Sequence, residues 1–195
     1  MSLLNNEVYK SFVPVVLVGN PSSGKTELAR HMVKTRGFYA ISGSAILKSV
    51  ASERGVRLSK REDFDSFHKL IRSEYGLGFM AGIVLGAHCD RPMFDGLRNI
   101  SDYDRFRQAG ANIIALWSPI ENRYQNDCHR AIENGEIPST YEQFRQAEAP
   151  EYDSPDPNGL HVMRIMQLAD YHIDASQPLE AVVTQVTALI DSFRD

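Results

Sequence analysis

The chain carries the octapeptide Gly19-Asn20-Pro21-Ser22-Ser23-Gly24-Lys25-Thr26, which matches the pattern G-x-x-x-x-G-K-[ST] in full. Directly before it, residues 12–18 form a short apolar, β-branched run, which is typical of a strand buried on both faces of a parallel sheet. Directly after it, Leu28 and Met32 repeat at helical spacing until Gly37. The octapeptide, here called the phosphate loop, is therefore predicted to connect a buried strand to a helix.

This context gives the loop a physical role. Main-chain N–H groups of such a loop point at phosphate oxygens, and the positive end of the helix dipole adds to the attraction. We expect all eight residues to bind a nucleoside triphosphate, with the ammonium of Lys25 against the β and γ phosphates and the hydroxyl of Thr26 as a ligand of Mg²⁺. Gly24 allows the close approach of the backbone. ATP and Mg²⁺ are the expected cofactors, although the sequence leaves another triphosphate donor open.

A carboxylate is also needed to organise the metal ion or to accept a proton. Asp95 ends the apolar run 92–94, and the C-terminal ends of parallel strands border the ligand crevice. We therefore expect Asp95 to be a catalytic residue and, with Thr26, a metal ligand. The alternative is an acid that caps the next turn.

The remaining pattern predicts an α/β fold. Strands are expected at 12–18, 38–41, 92–94, 112–117 and 171–173. Helices are expected at 24–35, 45–54, 101–108, 121–134 and 141–146, with two between 60 and 88 that break at 76–78 and a last one after Pro178. Strands that alternate with helices imply a parallel sheet with helices on both faces. The proline-rich and acidic segment 147–159 is expected to be a mobile surface loop.

Size and charge narrow the class of protein. With 195 residues and 43% hydrophobic content, the chain suits a single domain. A formal net charge of −4 argues against a broad surface for nucleic acid or for an anionic membrane. No apolar run approaches the roughly 20 residues that span a bilayer. We expect a cytoplasmic protein whose partner is a small molecule, with no nucleic acid and no membrane; the oligomeric state is not predicted.

Three segments carry a resemblance to a known family. The phosphate loop, then Asp95-Gly96-Leu97-Arg98, then residues 169–174 (A-D-Y-H-I-D) resemble the nucleoside monophosphate kinases of the P-loop class. Within that class the chain is most similar to the dephospho-CoA kinase-like proteins and to an archaeal family of uncharacterised nucleotide kinases. The resemblance implies one kinase-like domain over 1–195, with a five-stranded parallel sheet, an acceptor-binding helical arm at about 42–90 and a lid at about 120–160.

The resemblance also implies roles for basic residues. Lys48, Arg72 and Arg98 match positions that hold the phosphate of the acceptor, while Arg123 and Arg130 match lid arginines that contact the triphosphate. Arg130 is placed among the catalytic residues for this reason. Arg123 and Arg130 are seven residues apart, so both lie on one helix face, but Asp127 between them equally suits a solvated, salt-bridged surface. The chain departs from the family where Lys48 stands in place of an arginine, because a lysine has no bidentate fork.

Two functions remain open at this point. The first is a phosphotransferase that moves the γ-phosphoryl group of ATP to a small, nucleotide-like monophosphate. The second is a regulatory nucleotide-binding ATPase or sensor that transfers no phosphate to a metabolite. A GTPase switch is disfavoured because the chain has no N-K-x-D guanine signature.

Overall fold

The computed structural model describes residues 13–87, 89–152, 154–156 and 158–193. Five strands alternate with helices along this part of the chain. The strands are β1 (Val15–Val18), β2 (Tyr39–Ser42), β3 (Pro92–Asp95), β4 (Asn112–Trp117) and β5 (Tyr171–Asp174). The helices are α1 (Lys25–Arg36), α2 (Gly43–Glu53), α3 (Arg61–Tyr75), α4 (Phe79–Leu85), α5 (Ile100–Gln108), α6 (Ile120–Glu133), α7 (Tyr141–Tyr152), α8 (Val162–Leu168) and α9 (Leu179–Ser192).

The strands form one parallel sheet in the order β2-β3-β1-β4-β5, which confirms the predicted α/β architecture. β1 is central, and its neighbours β3 and β4 are reached through helical crossovers. Leu17 of β1 is opposite Asp95 of β3 and Ile114 of β4, so the C-terminal ends of these strands share one edge of the sheet. The phosphate loop leaves β1 at that edge.

Alternating side chains of the strands supply two hydrophobic cores. Val16, Val18 and Phe94 face a layer built from α2, α3, α4, α5 and α8. Val15 and Leu17 face α1 and α9. All five side chains are at most 2% exposed, as expected for a sheet that is covered on both faces. Burying both faces of β1 fixes the position from which the phosphate loop starts.

Three helices, α2, α3 and α4, lie between β2 and β3. α3 ends at Tyr75 and α4 starts at Phe79, so the predicted break at 76–78 is confirmed. Gly78 has a φ of 76°, and a Cβ there would lie 2.5 Å from Cδ of Arg105 and 3.0 Å from the carbonyl oxygen of Ser101. The break therefore needs glycine both for its backbone conformation and for close contact with α5.

The prediction of a surface loop over 147–159 is wrong for its first half. α7 continues to Tyr152, and Glu148 within it is fully buried. Proline content suggested a loop, but packing of α7 against α6 and α8 overrides that local preference. α8 was not predicted; this helix of seven residues buries Val162, Ile165 and Met166.

No helix in the described ranges is both long and apolar enough to cross a membrane.

Candidate functional site: a phosphate loop at the edge of the sheet

The phosphate loop wraps around the start of α1 in a conformation that requires small residues. Ser22 and Gly24 have φ values of 58° and 87°, in the left-handed region. A Cβ on Gly19 would lie 2.5 Å from the carbonyl oxygen of Leu116, so this glycine allows the loop to pass close to β4. A Cβ on Gly24 would meet no atom within 4 Å. The loop is therefore tight on its inner side and open above Gly24, as a phosphate cradle needs to be.

The ammonium of Lys25 is held inside this loop. Nζ donates to the carbonyl oxygens of Gly19 and Asn20 at 2.9 and 2.8 Å and contacts Oγ of Ser23 at 3.3 Å. Burial lowers the pKa of Lys25 to about 8, because desolvation outweighs the attraction of the Asp95 carboxylate. Arg98 and Arg123 lower the pKa further. The carboxylates of Asp95 and Glu148 and the two guanidinium groups are therefore within electrostatic reach of the ammonium.

Thr26 and Asp95 meet at the end of β3. Oγ1 of Thr26 donates to Oδ2 of Asp95 at 2.7 Å, and the Asp95 residue is only 7% exposed. A hydroxyl and a carboxylate side by side offer hard oxygen donors, which are the ligands that Mg²⁺ accepts. The two residues therefore fit a magnesium site beside the phosphate loop. Within the described residues no group of three or more His, Cys, Asp and Glu side chains forms a metal site by itself, so the remaining ligands would come from phosphate and water.

Helix α6 is attached to the phosphate loop by side chains. Nδ2 of Asn126 donates to the carbonyl oxygen of Ser22 at 3.0 Å, and Oγ of Ser22 donates to Oδ1 of Asp127 at 3.0 Å. Asp127 also forms an ion pair with Arg130, whose side chain is 62% exposed. Arg130 thus lies beside the phosphate loop, and its charge is partly compensated by the carboxylate of Asp127.

Arg123 is placed differently from Arg130. It is 4% exposed, forms an ion pair with the fully buried Glu148, and donates from Nε to the carbonyl oxygen of Ser118 at 3.0 Å. Nη1 of Arg123 also lies 3.4 Å from the carbonyl oxygen of Pro21. Tyr152 completes the group by donating from its hydroxyl to Oε2 of Glu148 at 2.8 Å. Arg123 therefore connects α6, α7 and the phosphate loop. Its side chain is buried and does not belong to a solvated, salt-bridged surface of α6.

A cavity of about 570 Å³ opens above the phosphate loop, within the usual range for a small-molecule site. One wall is α6, including Asn122, Asn126 and Arg130, and the opposite wall is the turn from β5 into α9. That turn contributes Ala175, Ser176, Gln177 and Leu179. No role in the site was predicted for these four residues, because they match no recognisable sequence pattern.

On the other side of Asp95, the three candidate acceptor residues are only partly brought together. Arg72 and Arg98 both act electrostatically on His68 of α3, so they lie in one neighbourhood. Nη1 of Arg72 donates to Oδ1 of Asn99 at 2.8 Å and to the carbonyl oxygen of Asn158. Lys48 is exposed on α2, with Nζ 5.7 Å from the ring centroid of Phe64. No contact between Lys48 and either arginine is observed among the described residues.

No protein-family model matches the chain, and a comparison with curated proteins gives no match. Solved structures do match its fold. A putative kinase from Chloroflexus aurantiacus superposes with a TM-score of 0.57 at 16% identity, covering 94% of this chain and 98% of the other. A shikimate kinase from Bacteroides thetaiotaomicron gives 0.57 at 14% identity, with 92% and 98% covered. A gluconokinase from Sinorhizobium meliloti gives 0.51 at 16% identity, with 93% of each chain covered.

These likenesses establish the fold, an α/β fold that the chain shares with these kinases. The identities are too low to transfer a substrate. The finer resemblance to dephospho-CoA kinase-like proteins is not confirmed.

Proposed function

We propose that this protein is a kinase that transfers the γ-phosphoryl group of ATP to a small acceptor carrying a phosphate monoester. The observation that carries the proposal is the grouping of Lys25, Asp95 and Arg98 at one end of the sheet. Lys25 responds electrostatically to both of the other residues, and the hydroxyl of Thr26 bonds to Asp95. Phosphoryl transfer depends mainly on positioning and charge neutralisation, which is what such a group supplies.

The cavity above the loop is the expected place for the donor. Phosphates in the loop would take over the ammonium of Lys25 from the carbonyl oxygens of Gly19 and Asn20, because an anion is the stronger hydrogen-bond acceptor. The nucleoside would then lie between α6 and the turn 175–179. Arg130 is free to turn toward the phosphates once these compete for it with Asp127.

Thr26 and Asp95 would hold Mg²⁺, which, when bound, neutralises charge on the transferring phosphate. The second carboxylate oxygen of Asp95 would orient the acceptor or accept a proton. Arg98 would hold the negative charge of the acceptor against the repulsion of the donor phosphates. Each of these residues is fixed by the end of β3 or by the phosphate loop, so little reorganisation is needed.

Arginine replacement separates the donor and acceptor halves of this proposal. With Mg-ATP and a panel of nucleoside monophosphates, dephospho-CoA and small metabolites, wild type is expected to form ADP with at least one acceptor. Arg98→Ala should lower kcat/KM for that acceptor by about 10- to 1000-fold, or about 1.4–4 kcal/mol, with the KM for ATP nearly unchanged. Arg107→Ala is the matched control, because Arg107 pairs with Asp170 at a distance from the loop.

Equal losses for ATP and acceptor in Arg98→Ala would contradict the acceptor role. Absence of ADP formation with every acceptor, together with tight ATP binding, would favour the second function, a nucleotide sensor. Asn126 donates a hydrogen bond to Ser22, and Ser22 donates one to Asp127, which supports that alternative because ATP in the loop would act directly on α6. Hydrogen exchange in α6 and α7, with and without ATP, measures this response.

A further inference from the structure

Three polar atoms buried near α3 have no hydrogen-bond partner among the residues that the structure describes. They are Nε2 of His68, Nε of Arg72 and Oγ of Ser101. Leaving a buried donor or acceptor unpaired costs about 1–3 kcal/mol, so native proteins keep few such groups and often use them for ligands. His68 and Arg72 are one helical turn apart on α3, and Ser101 belongs to the first turn of α5, next to Gly78. The unpaired atoms therefore come from two neighbouring helices.

His68 is a residue of α3 that contacts α4. Its ring packs against Phe79, with 5.7 Å between the ring centroids. Burial, with smaller contributions from Arg72 and Arg98, lowers the pKa of His68 to about 4, so the imidazole is neutral at pH 7. Arg98 also acts on the ammonium of Lys25. One guanidinium group is thus within electrostatic reach of both the phosphate loop and His68.

A segment that follows α7 is held against the same place. Residues 154–156 and 158–161, here called the roof segment, contact both arginines. The carbonyl oxygen of Asn158 accepts from Arg72, and the N–H of His161 donates to the carbonyl oxygen of Arg98 at 2.8 Å. Asp156 adds an attraction to the guanidinium of Arg72. Through these hydrogen bonds, Arg72 connects α3 to Asn99 and to the roof segment.

We propose that His68 determines acceptor specificity by hydrogen bonding to an uncharged polar group that lies beside the phosphate held by Arg98. This inference rests on the proposed function and narrows its substrate class. A neutral imidazole can donate or accept a hydrogen bond but adds no charge, so it suits a base carbonyl, an exocyclic amine or a sugar hydroxyl better than a second phosphate. The acceptor is then a phosphate monoester with a hydrogen-bonding ring or hydroxyl next to the phosphate.

Two replacements of the same side chain test the hydrogen bond. His68→Phe keeps an aromatic ring and removes both nitrogens, whereas His68→Gln keeps a donor and an acceptor. The probes are AMP, CMP, GMP, UMP, dTMP, ribose 5-phosphate and inorganic phosphate, measured by calorimetry without ATP and by turnover with Mg-ATP. His31→Gln on α1 is the control histidine, since α1 packs on the opposite face of the sheet.

For the probe that wild type binds best, His68→Phe should raise both Kd and KM by about tenfold or more, as expected when a site built for a hydrogen bond loses it. His68→Gln should stay within about threefold of wild type, and the affinities for ATP and for inorganic phosphate should change by less than about twofold. Binding restricted to nucleotides would identify the base as the group that His68 contacts. Equal binding of ribose 5-phosphate would identify the sugar.

Three results would overturn the inference: unchanged affinity in His68→Phe, equal losses for all probes including inorganic phosphate, or no binding of any probe by wild type. Different results would overturn the proposed kinase function. Binding that depends on His68 without any ADP formation would retain the inference and reject the kinase. ADP formation that is indifferent to His68 would do the reverse.

Discussion

Replacing Glu148 by alanine is expected to destabilise the protein by about 3–5 kcal/mol, because it leaves the guanidinium of Arg123 buried without its counter-charge. Both side chains are almost fully buried, at 4% exposure for Arg123 and 1% for Glu148. The carbonyl oxygens of Ser118 and Pro21 remain as acceptors for Arg123, but neither carries a full negative charge. The loss should therefore reflect a desolvated cation and exceed the cost of one hydrogen bond.

For a chain of this length, 1 kcal/mol corresponds to about 2–4 °C in Tm, so Glu148→Ala should unfold about 6–20 °C below wild type. Differential scanning calorimetry measures the shift directly. Glu142→Ala is the matched control on the same helix, because Glu142 pairs with Arg145 in the open, with 60% and 64% of the two side chains exposed. An exposed pair of this kind contributes at most about 1 kcal/mol.

A double replacement separates the ion pair from the packing of its two side chains. Arg123→Met combined with Glu148→Leu removes both charges and keeps most of the volume, so the double variant should be clearly more stable than Glu148→Ala. If Glu148→Ala and Glu142→Ala shift Tm equally, Glu148 is not the buried partner that the structure shows. If the double variant is the least stable of the set, the charges themselves stabilise this interface.

Further predictions concern the loop and the arm. Lys25→Met should abolish ATP binding in a fluorescence titration. The pKa of Lys25 is 10.5 in the unfolded chain and about 8 in the folded protein. The free energy of unfolding of wild type should therefore rise relative to that of this variant as the pH increases from 8 to 10.5. Asp95→Asn should still bind ATP but lose at least about 100-fold in Mg²⁺-dependent turnover, and a wild-type rate would make Asp95 a turn residue. Between pH 6.5 and 4, His68 is protonated in the unfolded chain but neutral in the folded protein. As the pH falls through this range, the free energy of unfolding of wild type should decrease by about 1.4 kcal/mol per pH unit. Urea unfolding of His68→Phe should lack this contribution.

The fold could be predicted because its signals are local. β1 and β4 are short runs of mostly apolar, buried residues, and β4 has the predicted bounds 112–117. The turn at Gly76 and Gly78 was visible because glycine is needed there for the backbone conformation itself. The order of the strands was not predicted, because alternating strands and helices restrict the sheet to a few parallel arrangements without selecting one of them.

The region after α6 could not be predicted in this way. Glu148 is buried by a partner 25 residues away on another helix, and an isolated Glu in a proline-rich sequence carries no sign of that. A surface loop was predicted because of the proline content, which reports only the local preference of the backbone. The buried ion pair that stabilises the helix is not visible in the sequence. α8 was missed because seven residues are too few to display a helical period.

The difference between local signals and contacts of distant residues explains why the site for the donor phosphates could be predicted from the sequence and the proposed acceptor site could not. Phosphates are bound by the backbone of eight consecutive residues, so the requirement for small residues and one lysine appears as a continuous motif. The proposed acceptor side would be assembled from His68 on α3, Arg98 after β3 and the roof segment after α7, which are separated by 30 to 93 residues. Such side chains can change with the substrate while the loop is retained. For this protein we therefore argue substrate specificity from the buried polar atoms around Arg72, where we propose that a donor or acceptor without a partner in the free protein contacts a ligand group.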